Sequence, residues 1–322
     1  MASIWLWPIN SDLLCQAFLD CHSTQTHPAV IESRQVSCVI PYAGAERYLA
    51  EVVGSARAQK FGEIIMVNDG CPPAQLESVA GLPDVRIIHL SQSVGCPNAR
   101  NLGIKSCTTP YVVLLDHDDV LCAGYFKAIS AWMAEKQLRC AAATLRYIGE
   151  SARRVGAVVS RNPDFFLPSG FLSEVSLIAE VGFFQDSYGD DLLFFRAIRK
   201  TTKLTTCPGA TVLYRIHPQA ESSRNIKAWW AFDRLMPCYD NGSHSLAEIN
   251  AIAREFSQTG KIPAGLESRL QGNRSWAARF LSRSAYACWL NRDPVGLVKY
   301  SSRLMPHLPT LFRLAGKKWL AH

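Results

Sequence analysis

The chain reads as an α/β protein with a mainly parallel sheet flanked by helices, followed by a C-terminal α-helical appendage. Three observations predict this. Short, mostly apolar runs recur at 36–40, 63–67 and 111–115, as expected of strands buried on both faces. Residues 46–60 place Leu49, Val52, Val53 and Ala56 at helical spacing between the first two runs. Each run also stops abruptly at proline or at Asn and Asp, and the carboxyl edge of such a sheet is where ligands bind.

Taken in order, Val36-Ser37-Cys38-Val39-Ile40 is a first strand, ended by Pro41. The helix over 46–60 and the run Glu63-Ile64-Ile65-Met66-Val67, closed by Asn68-Asp69-Gly70, complete a βαβ unit. Residues 85–90 form a third strand and 98–106 a helix leading into Tyr111-Val112-Val113-Leu114-Leu115. Beyond residue 225 the pattern is helical, at 246–259, 265–290, 295–305 and 308–320, with Asn291-Arg292-Asp293-Pro294 turning between two of them. The expected division is an irregular leader at 1–35, a catalytic domain at 36–225 and a basic helical region at 226–322.

The most telling segment is the end of the third apolar run. Asp116-His117-Asp118-Asp119 crowds three carboxylates into four positions at the sheet edge. Such crowding is costly unless a cation compensates it, and hard oxygen ligands suit Mg²⁺ or Mn²⁺ shared with substrate phosphates. The alternative is a solvated Asp-rich turn capping the following helix.

With these residues in place the chain resembles the family 2 glycosyltransferases, nucleotide-sugar-dependent enzymes of the GT-A fold. The resemblance rests on residues 36–40, on 63–70, on Ala99-Arg100-Asn101 within 95–103, and on Leu115-Asp116-His117-Asp118-Asp119. It continues through Gly182-Phe183-Phe184 and Gly189-Asp190-Asp191 with the apolar residues after it, to Tyr214-Arg215-Ile216-His217. The resemblance implies inverting transfer of a sugar from a nucleoside diphosphate, most simply a UDP-sugar, to an acceptor hydroxyl.

The resemblance also assigns roles. Asp118 is the metal ligand, Asp116 holds the ribose or shares the metal, and His217 completes the site, with Mn²⁺ favoured over Mg²⁺ by an imidazole beside carboxylates. Asp191 is the base. Its place at a helix start favours its charged form, and Asp190 beside it opposes ionisation of the pair. Pro41 and Tyr42 lie under the nucleotide base, Asp69 on its polar edge, Arg100 near the phosphates or sugar, and Arg215 on the diphosphate. Ser169, Gly170 and Asp190 face the acceptor. Asp119 caps the helix that follows. The loop departs from the family pattern at Ala43-Gly44 and Cys71-Pro72-Pro73.

Composition bounds the remaining possibilities. The 322 residues carry 11 cysteines without a C-x-x-C pair, which points away from zinc and from a disulfide framework and suits a reducing cytosol. No stretch of about 20 apolar residues occurs and no standard signal peptide opens the chain. Residues 226–322 hold 14 Lys and Arg against 6 Asp and Glu, while the rest holds 20 against 21. The positive charge is therefore in the tail. Residues 308–320, with Leu311, Phe312 and Trp319 beside Arg313, Lys317 and Lys318, suit either peripheral contact with an anionic inner membrane face or packing on the catalytic domain. A glycan, a lipid-linked molecule or a small molecule are all open as acceptor. No nucleic-acid motif accompanies the basic residues. The rival readings are an aspartyl phosphotransferase, which would want a hydroxyl residue where Val120-Leu121 stand, and an inactive nucleotide-binding scaffold recruiting partners through the tail.

Overall fold

The computed structural model describes residues 31–44, 46–149, 166–217, 220 and 226–259. Residues 1–30 of the expected leader, and the tail segments expected at 265–290, 291–294, 295–305 and 308–320, lie outside the described residues. The chain divides into two units. The first comprises Met1–Asp186 and Asp190–Arg215, and the second Ser187–Gly189 and Ile216–His322.

The strands of the first unit, in chain order, are β1 (Val36–Tyr42), β2 (Glu63–Asn68), β3 (Val85–His89), β4 (Tyr111–Leu114), β5 (Val120–Leu121), β6 (Cys140–Gly149), β7 (Phe171–Glu174) and β8 (Thr206–Ile216). The helices are α1 (Glu46–Ala58), α2 (Glu77–Ala80), α3 (Cys96–Lys105), α4 (Tyr125–Lys136), α5 (Val175–Val181) and α6 (Asp190–Thr201), with α7 (Ile226–Asp240) and α8 (Leu246–Thr259) in the second unit. All eight strands form one sheet in the order β3-β2-β1-β4-β7-β6-β8-β5. Strands β3, β2, β1 and β4 run parallel, with Val39 opposite both Ile65 and Leu114. Antiparallel pairing begins where β7 joins β4, continues to β6, and recurs where β5 joins β8.

Period-two alternation sorts the apolar residues of the central strands onto two faces. Cys38, Ile40, Ile64, Met66 and Val113 pack with Leu49, Val52, Val53 and Ala56 of α1. Val39, Ile65, Val67, Val112 and Leu114 pack with Ala99 and Ile104 of α3 and with Phe194, Phe195 and Ile198 of α6. Helix α3 reaches the sheet closely because Gly103 has no side chain: a Cβ there would overlap the Val39 Cγ1 methyl and stand 3.2 Å from Val67 Cγ2. Covering both faces leaves the strand ends as the place for polar groups.

Several boundaries differ from those read in the sequence. Helix α3 starts at Cys96, two residues before the expected 98, because Pro97 suits the first turn and Gly95, at φ +87°, supplies the turn before it. Asp119 caps no helix, since Val120–Leu121 first pair with Val212 and Leu213 of β8 and α4 begins only at Tyr125. Helix α8 spans the expected 246–259. Ser245 and Glu248 form a capping box at its start, the Ser245 amide donating to Glu248 Oε2 at 2.7 Å. Asn241-Gly242-Ser243 forms a turn: the Ser243 amide donates to Asn241 Oδ1 and Gly242 has φ +71°.

Candidate active site

The carboxyl ends of two parallel strands and the start of one helix supply three acidic segments. Asp69 follows β2, Asp116 to Asp119 follow β4, and Asp190 and Asp191 open α6. At their centre is Arg100, on the second turn of α3 and only 3% exposed. Its Nη2 donates to Asp116 Oδ1 at 3.0 Å and its Nη1 to Asp190 Oδ2 at 3.2 Å, while Asp191 Oδ1 stands 3.9 Å from Nη1. Nη2 also reaches Cys96 Sγ at 3.2 Å, and the guanidinium carbon lies 4.8 Å from the centre of the Phe184 ring. Burial alone would push the Arg100 pKa down, but Cys96, Asp116, Asp191 and Asp190 together hold it well above its ordinary value. One buried cation thus gathers carboxylates from two segments far apart in sequence.

The Phe184 backbone is itself fixed by Asn101, whose amide side chain donates to Phe184 O at 2.7 Å and accepts from Phe184 N at 3.0 Å. Adjacent residues of α3, Arg100 and Asn101, therefore bind two distant acidic segments and the loop after α5. The sequence showed the Ala-Arg-Asn and Gly-Phe-Phe motifs but gave no sign that they are partners.

The four members of Asp116-His117-Asp118-Asp119 have different surroundings. Asp116 is partly exposed, and its amide donates to Ser169 Oγ at 3.3 Å. The His117 ring shares a hydrogen bond between Nδ1 and the Pro41 carbonyl at 3.1 Å and lies edge-on to Tyr42. Asp118 gives its backbone carbonyl to Arg215 Nε at 2.8 Å. Asp119 is fully buried. Its Oδ1 accepts the Arg215 amide at 2.8 Å, and its Oδ2 is buried without a hydrogen-bond partner. Burial first, then the neighbouring Asp118 and Asp116, push its pKa well above the usual carboxylate range. Asp119 therefore pins β8 to the loop after β4, a structural role different from that of a surface cap.

The nucleotide-side residues are also engaged within the fold. Pro41 and Tyr42 are buried in β1, and the Tyr42 hydroxyl donates to Gln75 Oε1 at 3.1 Å. Both oxygens of Asp69 accept from the 93–95 loop: Val94 N to Oδ1 at 2.6 Å, Ser93 Oγ to Oδ2 at 2.7 Å and Gly95 N to Oδ2 at 3.1 Å. Arg215 stacks on Tyr48, 4.3 Å from the ring centre, and pairs with Glu51 Oε2 at 2.5 Å. Tyr48 and Glu51, both on α1, were not singled out by the sequence reading. Ser169 is buried, and Gly170, at φ +77°, donates its amide to Leu114 O at 2.7 Å and accepts the Tyr125 hydroxyl at 3.0 Å. His217 is a buried residue of the second unit, whose carbonyl accepts the Ala220 amide at 3.1 Å.

Among the described residues no three His, Cys, Asp or Glu side chains are gathered as a metal cage. A Mg²⁺ or Mn²⁺ ion needs less than that, since one or two carboxylates and the substrate's phosphates suffice. The acidic, partly exposed edge at Asp116 and Asp118 fits a cation that arrives with a diphosphate.

Comparison with known proteins agrees with this geometry. Residues 37–176 match the family model described as glycosyl transferase family 2. An uncharacterized glycosyltransferase of Rickettsia prowazekii is 39% identical over 93 residues, covering 28% of the chain and 29% of that protein. The pre-mycofactocin glycosyltransferase of Mycobacterium tuberculosis is 32% identical over 104 residues, covering 32% of the chain and 22% of that protein. The chain thus spans less than a third of the length of either relative. The crystal structure of Staphylococcus aureus TarS 1–349 in complex with UDP-GlcNAc superposes with a TM-score of 0.52 at 16% identity, over 84% of the chain and 88% of TarS 1–349. The fold is therefore shared with TarS, the GT-A architecture expected from the sequence.

Proposed function

We propose that the chain transfers a sugar from a nucleoside diphosphate, most simply UDP, to an acceptor hydroxyl with inversion at the anomeric carbon. The single observation that carries this reading is the meeting of Asp116, Asp190 and Asp191 on Arg100, at the carboxyl edge of a family 2 segment. The donor class draws support from TarS, whose crystals contain UDP-GlcNAc.

In the proposed reaction Asp191 takes the proton from the acceptor hydroxyl as its oxygen bonds to the anomeric carbon. The bond from that carbon to the diphosphate oxygen breaks, and the nucleoside diphosphate leaves with the electron pair. Asp191 suits this work because it is 27% exposed on the first turn of α6, where the dipole favours a carboxylate. Asp190 orients the acceptor together with Ser169 and Gly170. Arg100 holds Asp116 and the base segment in register. Pro41, Tyr42 and Asp69 border the nucleotide, and Arg215 borders the diphosphate. Mn²⁺ or Mg²⁺, held by Asp116 and Asp118, would neutralise charge on the departing diphosphate. The basic segment 308–322 would add salt-sensitive contact with anionic membrane, making a lipid-linked acceptor a natural choice.

The test is Asp191→Asn. Transfer should fall by about 10² to 10⁴, the usual worth of a positioned base, while stabilisation by the donor persists. Near-normal turnover in that variant would reduce Asp191 to a residue of the helix start.

A further inference from the structure

The two places where the sequence leaves the family pattern, Ala43-Gly44 and Cys71-Pro72-Pro73, are neighbours in the first unit. They follow β1 and β2, two parallel strands whose last residues, Tyr42 and Asn68, lie opposite each other. A Cβ on Gly44 would stand 3.6 Å from Cys71 Sγ and 3.8 Å from Gln75 Oε1, ordinary contact distances. Gln75 is thereby brought to the end of β1. Its Oε1 accepts the hydroxyl of the buried Tyr42 at 3.1 Å. With the oxygen so engaged, the Nε2 amide, which meets no acceptor among the described residues, is the donor this half-buried side chain has to offer.

The segment that carries Gln75 is held at both ends. Buried Asn68 donates from Nδ2 to Cys71 O at 2.8 Å and accepts the Cys71 amide on Oδ1 at 3.0 Å. Residues Pro73–Leu76 form a 3₁₀ turn in which the Gln75 amide donates to Pro72 O at 3.1 Å, and Leu76 is buried in the core that α1 covers. Asp69 is placed otherwise. The resemblance set its carboxylate on the polar edge of the base, yet both oxygens accept from the 93–95 loop and the residue is only 5% exposed. Gly70 continues that contact, since a Cβ there would overlap Ser93 N and Gln92 C. Asp69 serves its own loop, and the polar group left over beside Tyr42 is the Gln75 amide.

We infer that Gln75 is the specificity-determining residue for the nucleotide base, and that it selects uracil through the 4-carbonyl. This rests on the proposed reading that sets the base against Pro41 and Tyr42. A carboxamide whose oxygen is held by Tyr42 presents N–H, which suits the 4-carbonyl of uracil and meets the 4-amino group of cytosine donor to donor. Two donors brought face to face lose their water without gaining a bond, so the wrong base is rejected by about tenfold or more.

The test is calorimetric titration of the full chain with UDP and with CDP, in the presence of Mn²⁺. The parent should bind UDP more tightly than CDP by about tenfold or more. Gln75→Glu keeps the acceptor for Tyr42 but replaces the donor with a second acceptor, so the UDP-to-CDP affinity ratio should fall by about 10- to 100-fold. Gln75→Met, which keeps the length without either polar atom, should bring the ratio close to one. Either variant alone decides the matter should the other fail to fold. Asp69→Asn, which loosens the 93–95 loop, should weaken both nucleotides by the same factor. Equal binding of UDP and CDP by the parent would overturn the inference. So would a ratio that Gln75→Glu and Gln75→Met leave unchanged, or one that moves with Asp69→Asn instead; in these cases UDP still binds and the proposed transfer stands. Failure of both nucleotides to bind the parent would remove the nucleotide reading and this inference with it.

Discussion

Replacing Arg100 separates two jobs a buried arginine can do at this edge. In the fold it ties Asp116 to Asp190 by hydrogen bonds of 3.0 and 3.2 Å, with its side chain 4% exposed against 25% and 19% for the two carboxylates. Removing one partner of a buried ion pair costs about 3 to 5 kcal/mol. The carboxylates can partly rehydrate, so Arg100→Met should cost about 3 kcal/mol, the lower end. Lysine keeps the charge but lacks the planar fork, and a single ammonium cannot reproduce both bonds. Losing one hydrogen bond to a charged group costs about 1.5 to 3 kcal/mol, so Arg100→Lys should fall near 2 kcal/mol. Urea denaturation of the variants measures both values. Transfer should fall in both, with donor KM changing less than kcat, because the arginine acts by holding carboxylates. If Arg100→Lys is as stable as the parent and raises donor KM instead, the arginine serves the donor's phosphates, as the family resemblance alone would have it.

Three further outcomes follow from the packing. Glu63 accepts from Ser37 Oγ, from the amide and hydroxyl of Thr108, and from Arg86. Burial pushes its pKa up, but these bonds outweigh that and hold it below the usual carboxylate value. A depressed folded pKa stabilises above the unfolded value and loses that stability as pH falls through the folded one, so the deficit of Glu63→Gln should be larger at pH 7 than at pH 3. Urea midpoints at the two pH values check this, and a constant deficit would refute it. Asp119→Asn keeps an oxygen to accept the Arg215 amide and should cost little, whereas Asp119→Ala leaves that amide without its acceptor and should cost about 1 to 3 kcal/mol. Gly103→Ala gains up to about 1 kcal/mol in helix propensity, but overpacking against Val39 and Val67 costs about 1 to 3 kcal/mol, so the net effect is a lower thermal midpoint.

The parallel half of the sheet was legible because its strands are buried on both faces and leave continuous apolar runs. The antiparallel half was not. Strand β6 begins Cys-Ala-Ala-Ala, and alanine carries no strand signal, while β8 contains Pro208 and Gly209 near its start. Within the site, the residues to watch were readable and their neighbours were not. Asp118 and Asp119 are equivalent in sequence, and only the pairing of Val120 with Leu213 turns Asp119 inward. The reach of Arg100 to Asp190, 90 residues away, and the contact of Gly189 with Phe232 depend on tertiary packing that no local period records. Helix α8 was read to its ends because its start signal, Ser245 and Glu248, is local.

The most direct test of the central claim is ligand-dependent thermal stabilisation of the full chain, across nucleoside diphosphate sugars with and without Mn²⁺. At about 100 times its dissociation constant a bound donor adds about 2.7 kcal/mol, an easily resolved shift in the unfolding midpoint. At least one nucleoside diphosphate sugar should stabilise the chain in a Mn²⁺-dependent manner, and Asp118→Ala should abolish the metal-dependent part. Failure of every such donor to shift the midpoint, with and without Mn²⁺, would contradict the account.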